Sequence, residues 1–226
     1  MNKNNVVYNK SHAHRIDLRK ESFRDWKNSF LRKFPWLLNI PEDYISDKFN
    51  IYGLQNDFSF LGLCCDIICG KADLSCIPQS DKAEISKQLP QVYGMIHARF
   101  ILAPAGLSAL NEKYKRCQYG TCPRFNCQNE PLLPIGVSSQ MNQDSVKAFC
   151  PCCREVFFPR PQINLDGAYF GPNAAHIFID EMKIKSHRCF RPYSHNAFGF
   201  RLRSSIFQNQ RDDQDDYDYE NENEDE

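Results

Sequence analysis

Four cysteines constrain this chain more than any other feature: four residues lie between Cys122 and Cys127, 22 between Cys127 and Cys150, and two between Cys150 and Cys153. Each pair sits in a proline-containing knuckle sequence, CPRFNC and CPCC. Thiolates that must converge on one ion from two short turns, separated by a stretch of this length, are how structural zinc modules build a closed tetrahedral site. One zinc ion per chain, held by Cys122, Cys127, Cys150 and Cys153, is therefore the expected cofactor. A fully protein-ligated zinc has no open position for water, so the metal is expected to be structural. Cys152, inside CPCC, could compete for the metal, but the two-residue spacing from Cys150 favours Cys153.

A length of 226 residues is enough for a core that needs no disulfides, and eleven cysteines alone do not make this a secreted disulfide scaffold. The opening MNKNNVVYNK has no apolar signal region, and nowhere do about 18 apolar residues run together. Reduced thiols in the cytoplasm or nucleus, without membrane contact, are the expectation. Cys64, Cys65, Cys69 and Cys76 lie in or near the apolar FLGLCCDIIC run and read as buried free thiols.

The formal net charge of zero hides an asymmetry, because residues 211–226 (RDDQDDYDYENENEDE) carry ten acids and one arginine. Without them, residues 1–210 keep 27 basic and 18 acidic side chains. A block of like charge with few apolar residues cannot bury enough surface to offset ordering entropy, so this tail is expected to be disordered. The basic, polar segment 1–22 shows little periodicity and is also expected to be loosely ordered.

The class expected is α+β: an N-terminal all-α domain, then a small zinc-ribbon β module and a C-terminal hairpin or helix extension. Phe23, Trp26, Phe30 and Phe34 recur at helical spacing before Pro35. PEDYISDKFN (41–50) opens with a proline and two acids, the composition of a helix start, and Gly53 closes it. Residues 57–70, 84–102 and 104–115 give three more helices. In the longest, Leu89, Val92, Tyr93, Ile96, Phe100 and Ile101 share a face, and Pro90 either kinks it or lies near its first turn. His97 on that helix reads as a hydrogen-bonded structural residue. After Tyr119 come short β-rich runs at 131–137, 146–150 and 155–159, too short to be stable as strands without a metal. DGAYFG (166–171) is a turn, AAHIFID (174–180) a final strand or helix, and AFGFRLRSSIF (197–207) an exposed hairpin edge. The boundaries expected are 1–22 flexible, 23–118 helical, 119–180 zinc ribbon, 181–210 C-terminal segment and 211–226 acidic tail.

Catalysis finds no support in the motifs: there is no Gly-x-Gly-x-x-Gly loop, no Gly-Lys-Ser/Thr cradle, and no His-Arg-Asp or Asp-Phe-Gly element. The alternative function is a zinc ribbon associated with nucleic acid or a polymerase, since the body is basic and rich in aromatics. Residues 119–159, however, carry only Arg124, Lys147 and Arg154 as bases, against Glu130, Asp144 and Glu155. A near-neutral ribbon suits protein contact better than a polyanion.

Five blocks together resemble one family, the regulatory beta subunits of casein kinase II: PEDYISDKFNIYGL (41–54), YGMIHARFIL (93–102), YGTCPRFNCQNEPLLPIG (119–136), CPCC with REVFFP (150–159), and DGAYFG (166–171). The resemblance spans roughly residues 23–207 and includes the cysteine spacing. It implies a non-catalytic subunit that dimerises through its zinc module and docks two catalytic alpha subunits in an alpha2-beta2 tetramer, modulating activity toward protein substrates. The positions matching the family's apolar dimer contact are Pro123, Phe125, Val156 and Phe157. Its kinase-docking hairpin matches Phe198, Gly199 and Phe200. The first aromatic there is commonly tyrosine, and Ala197 replaces a larger apolar residue.

Two departures from the family stand out. The N-terminal acidic, serine-bearing cluster is replaced by a basic segment, and the acidic loop tied to polyamine response corresponds to the nearly balanced GKADLSCIPQSDKAE (70–84). The hypothesis that follows is that Asp212–Glu226 takes over polycation binding. Truncation after Arg211 is expected to abolish polyamine stimulation of the holoenzyme, and retained stimulation would refute the idea.

Overall fold

The computed structural model describes residues 25–73, 75, 77–184, 196–198 and 200–201. Expectations for Phe23, Cys76, Gly199, the N-terminal segment and the acidic tail lie outside these residues. The described residues fall into two units, one within 1–190 and one within 191–226.

In the first unit, helix α1 (Trp26–Lys33) buries Trp26 and Phe30 on one face. The two rings stack at 4.7 Å, and Phe30 meets the edge of Tyr93 at 5.6 Å. Pro35 bars continuation, since it has no N–H for another turn. Helix α2 (Glu42–Ser46) starts after Pro41 as expected but is shorter than the 41–50 segment. Asp47 is extended, and its carboxylate accepts from the Phe49 N–H, so a side chain competes with the helix and turns run on to Gly53.

Helix α3 (Leu61–Ile68) buries Leu61, Cys64, Cys65, Ile67 and Ile68. Burial pushes the Cys64 and Cys65 thiols up to about 12, as befits apolar core residues rather than nucleophiles. Helix α4 (Lys82–Phe100) is the central element, burying Ile85, Leu89, Val92, Tyr93, Ile96 and Phe100. Pro90 lies inside it rather than near its first turn. The intrahelical bond to the Ser86 carbonyl is lost there. Tertiary packing of the apolar face outweighs that local cost. Helix α5 (Pro104–Lys115) begins with proline at its first position and spans the expected residues.

The β module is a three-stranded antiparallel sheet of β1 (Leu133–Ile135), β2 (Lys147–Phe149) and β3 (Val156–Phe157), in that order. AAHIFID is resolved as helix α6 (Ala174–Glu181), which packs on β1. Buried side chains of helices and sheet form a single continuous core. Two glycines allow this closeness: a Cβ on Gly94 would sit 2.1 Å from the Tyr169 ring, and one on Gly136 would sit 2.0 Å from the Gly167 carbonyl oxygen. No helix among the described residues is long and apolar enough to cross a membrane.

His97 joins three segments at the centre. Its Nε2 accepts from the Leu38 N–H at 3.0 Å, and its Nδ1 lies 2.7 Å from the Tyr169 carbonyl oxygen, which requires the neutral Nδ1–H tautomer. Full burial lowers its pKa to about 4. A proton at this position is therefore structural, and the residue is no base.

The second unit is a hairpin of β4 (Asn196–Ala197) and β5 (Phe200–Arg201), with Ala197 paired to Phe200. Phe198 is in its turn, not on a strand, at a φ of +53° that an aromatic residue rarely adopts.

Candidate functional site

The four cysteines converge as their spacing predicts. Cys122, Cys127, Cys150 and Cys153 are all buried, with their sulfurs within 4.8 Å of one another. Two short turns bring them there. The first knuckle is closed by Cys122 N–H to the Glu130 carbonyl at 2.8 Å and Glu130 N–H to the Cys127 carbonyl at 2.9 Å. Gln128 and Asn129 follow Cys127 with left-handed backbones, which reverse the chain. The second knuckle is closed by Cys150 N–H to the Glu155 carbonyl at 3.0 Å and Arg154 N–H to the Cys150 carbonyl at 2.9 Å.

Backbone N–H groups also point at the sulfurs. Cys153 N–H donates to the Cys150 sulfur at 3.5 Å, and Arg124 N–H donates to Cys122. Such donors favour thiolate over thiol. Burial works against them, raising the Cys122 and Cys127 thiols and pushing Cys150 up to about 12. A set of buried sulfurs therefore needs a cation to become anionic, and binding that cation releases protons.

The donor set fits zinc. Zinc–sulfur bonds of ~2.3 Å in a tetrahedron place the sulfurs ~3.8 Å apart. The Cys122 and Cys153 sulfurs are 3.8 Å apart. Four soft donors from the protein leave no position for a reacting water, so such an ion would cross-link two turns and nothing more.

Around the buried sulfurs several apolar side chains meet solvent. Pro123 is exposed, Phe125 is 95% exposed, and Val156 is 49% exposed. Phe157 is half-buried and packs against the core. Its neighbour Phe158, which the sequence reading did not single out, is 71% exposed with the Lys147 ammonium 4.2 Å from its ring centroid. Strand alternation in EVFFP carries the missed signal, because residues 156 and 158 share a face while 157 takes the other. Arg124 and Glu155, one on each knuckle, pair at 3.4 Å and bring the chain beside Phe125 close to the chain beside Val156. At this exposure the pair adds little stability.

The knuckles are fastened to the helices by polar and aromatic contacts. Tyr114 of α5 donates to the buried Glu130 carboxylate at 2.8 Å and meets Phe178 of α6 at 5.4 Å, while Tyr119 meets Trp36 edge-on at 5.3 Å. In the separate hairpin, Phe198 and Phe200 are both exposed, and Gly199 lies outside the described residues.

A sequence model of the family described as casein kinase II regulatory subunit matches residues 25–201. Curated proteins align over most of the chain. Casein kinase II subunit beta of Dictyostelium discoideum is 34% identical over 188 residues, covering 78% of this chain and 70% of that protein. The protein of the same name from Schizosaccharomyces pombe is 36% identical over 171 residues, 73% of this chain and 72% of its own length. Casein kinase II subunit beta' of Drosophila melanogaster is 31% identical over 172 residues, with 75% and 78% covered.

Proposed function

The chain belongs to the casein kinase II regulatory subunit family, and from that premise we propose that it is a non-catalytic subunit that dimerises through a zinc module and docks two catalytic subunits. Zinc at Cys122, Cys127, Cys150 and Cys153 holds the two knuckles in register. The knuckles then offer Pro123, Phe125, Val156 and Phe158 to the same face of a second copy, across a two-fold axis, while Phe157 backs that face from the inside.

The observation that supports this reading best is the exposure of large apolar side chains on a module whose metal-binding interior is closed. A monomer would leave those rings in water. The hairpin supplies the second contact. A turn that projects Phe198 beside Phe200 can fill a shallow pocket on a kinase with two aromatic anchors. Two such hairpins on one dimer give the alpha2-beta2 arrangement.

Copurification with a casein kinase II catalytic subunit tests the docking. Changing Phe198 and Phe200 together to Ala is expected to weaken the complex by roughly 100-fold, as loss of an aromatic hot spot does. Both rings are exposed, so the variant should retain its helical circular dichroism and its metal. Unchanged affinity would remove this hairpin from the docking surface.

A further inference from the structure

Phe158 is exposed, but one face of its ring is already covered. The Lys147 ammonium lies over that face, 4.2 Å from the ring centroid. Lys147 is itself buried, and its ammonium donates to the Asp144 carboxylate at 2.8 Å and to the Ser145 hydroxyl at 3.3 Å. The register of β2 against β3 brings the two together. Ala148 faces Phe157, so one step further along the strands Lys147 stands opposite Phe158, on the sheet face that Val156 shares.

We propose that Lys147 is a positioning residue for self-association: by stacking on one face of Phe158 it holds the ring so that the other face, with Val156, meets a second copy of this chain. The proposal rests on the reading of the knuckle face as the dimer contact. A free ring at a strand end would have to be ordered when the copies meet, whereas a ring already held by a cation is ordered beforehand.

The charge arrangement favours a second copy as the occupant. Contact across a two-fold axis sets a patch against itself, so any net charge within it would face its own image. Two cations beside the exposed rings are each matched within the chain, Lys147 by Asp144 at 2.8 Å and Arg124 by Glu155 at 3.4 Å. What remains to be offered there is the apolar surface of Phe125, Val156 and Phe158. A lysine that merely neutralised Asp144 would steady the sheet and leave association untouched.

Sedimentation equilibrium of the zinc-loaded full chain measures the dimer dissociation constant in a double-mutant cycle. Phe158→Ala should weaken the dimer about 30-fold or more, and Lys147→Met about fivefold to tenfold. Because the two side chains act as one contact, Lys147→Met should cost less than about twofold more once Phe158 is Ala. Zinc content and helical circular dichroism should be unchanged in all of these chains.

Asp144→Asn/Lys147→Met, which leaves no unmatched carboxylate, repeats the cycle if Lys147→Met alone disturbs the sheet. The positioning role is overturned if the Lys147 effect on the dimer is absent, if it is equally large with and without the Phe158 ring, or if neither Lys147 variant folds with zinc bound. A Phe158→Ala chain that dimerises as tightly as wild type overturns it as well. A wild-type chain that stays monomeric with zinc present would instead overturn the dimer reading itself.

Discussion

Cys122→Ser combined with Cys150→Ser is expected to yield a metal-free monomer. The sheet it would disrupt has strands of three, three and two residues, far below what supports itself in water. Structural zinc contributes on the order of 10 kcal/mol to modules of this kind, a term comparable with the whole stability of a domain. Losing one ligand from each knuckle leaves the others as buried thiols with no cation to join the turns. Phe125 and Val156 then lose their fixed relation, and the face they form with Pro123 and Phe158 cannot match a second copy.

The helices should fare better than the knuckles. Tyr114, Tyr119, Trp36 and Phe178 tie the module to a core whose largest part comes from α1, α3, α4 and α5. Helical circular dichroism is therefore expected to persist while zinc content falls to near zero and sedimentation reports a monomer. A dimer that survives without metal would separate assembly from the zinc site.

Replacing His97 by Phe is expected to destabilise the fold by about 3 to 5 kcal/mol, because it leaves the Leu38 N–H and the Tyr169 carbonyl unpartnered in a dry interior. It should also change the response to acid. His97 in the folded chain titrates at about 4, below its ordinary value of 6.5, because burial penalises the imidazolium. Between those values the unfolded chain binds a proton that the folded chain does not, so stability rises with pH. The contribution is complete above about 6.5 and is lost as pH falls through about 4; by linkage it amounts to about 3 kcal/mol. Acid also releases zinc from thiolates, so the comparison that isolates His97 is the difference in unfolding free energy between wild type and variant across this window. If the two slopes against pH coincide, the histidine is not the group responsible.

The bounds of α5 were legible to the residue, because Pro104 and a run of good helix formers act locally and in agreement. The buried face of α4 was equally plain from its period. What local reasoning missed was set by contacts far along the chain. Pro90 opposes a helix by itself, yet α4 runs through it because Leu89, Val92 and Tyr93 are buried on either side. The 41–50 segment has a helical start, yet the Asp47 carboxylate captures the Phe49 amide and ends the helix early.

The same division holds at the candidate site. The spacing of Cys122, Cys127, Cys150 and Cys153 grouped four candidate ligands, because two cysteines on one tight turn are neighbours whatever the rest of the chain does. It left the place of Cys152 open, and the structure buries that residue while keeping its sulfur out of the four-sulfur set. Which phenylalanine of EVFFP is offered outward depended on the register of β3 against β2, and the structure exposes Phe158 while Phe157 packs inward. Phe198 and Phe200 look like two strand residues on one face, but pairing of Ala197 with Phe200 puts Phe198 in the turn. By itself, then, the sequence determined the family, the helical core faces and the candidate metal-binding set, which rest on local spacing and periodicity. Tertiary structure decided which apolar rings meet solvent and which cysteine of the second knuckle stays out of the four-sulfur set, because register and packing between distant segments direct those side chains.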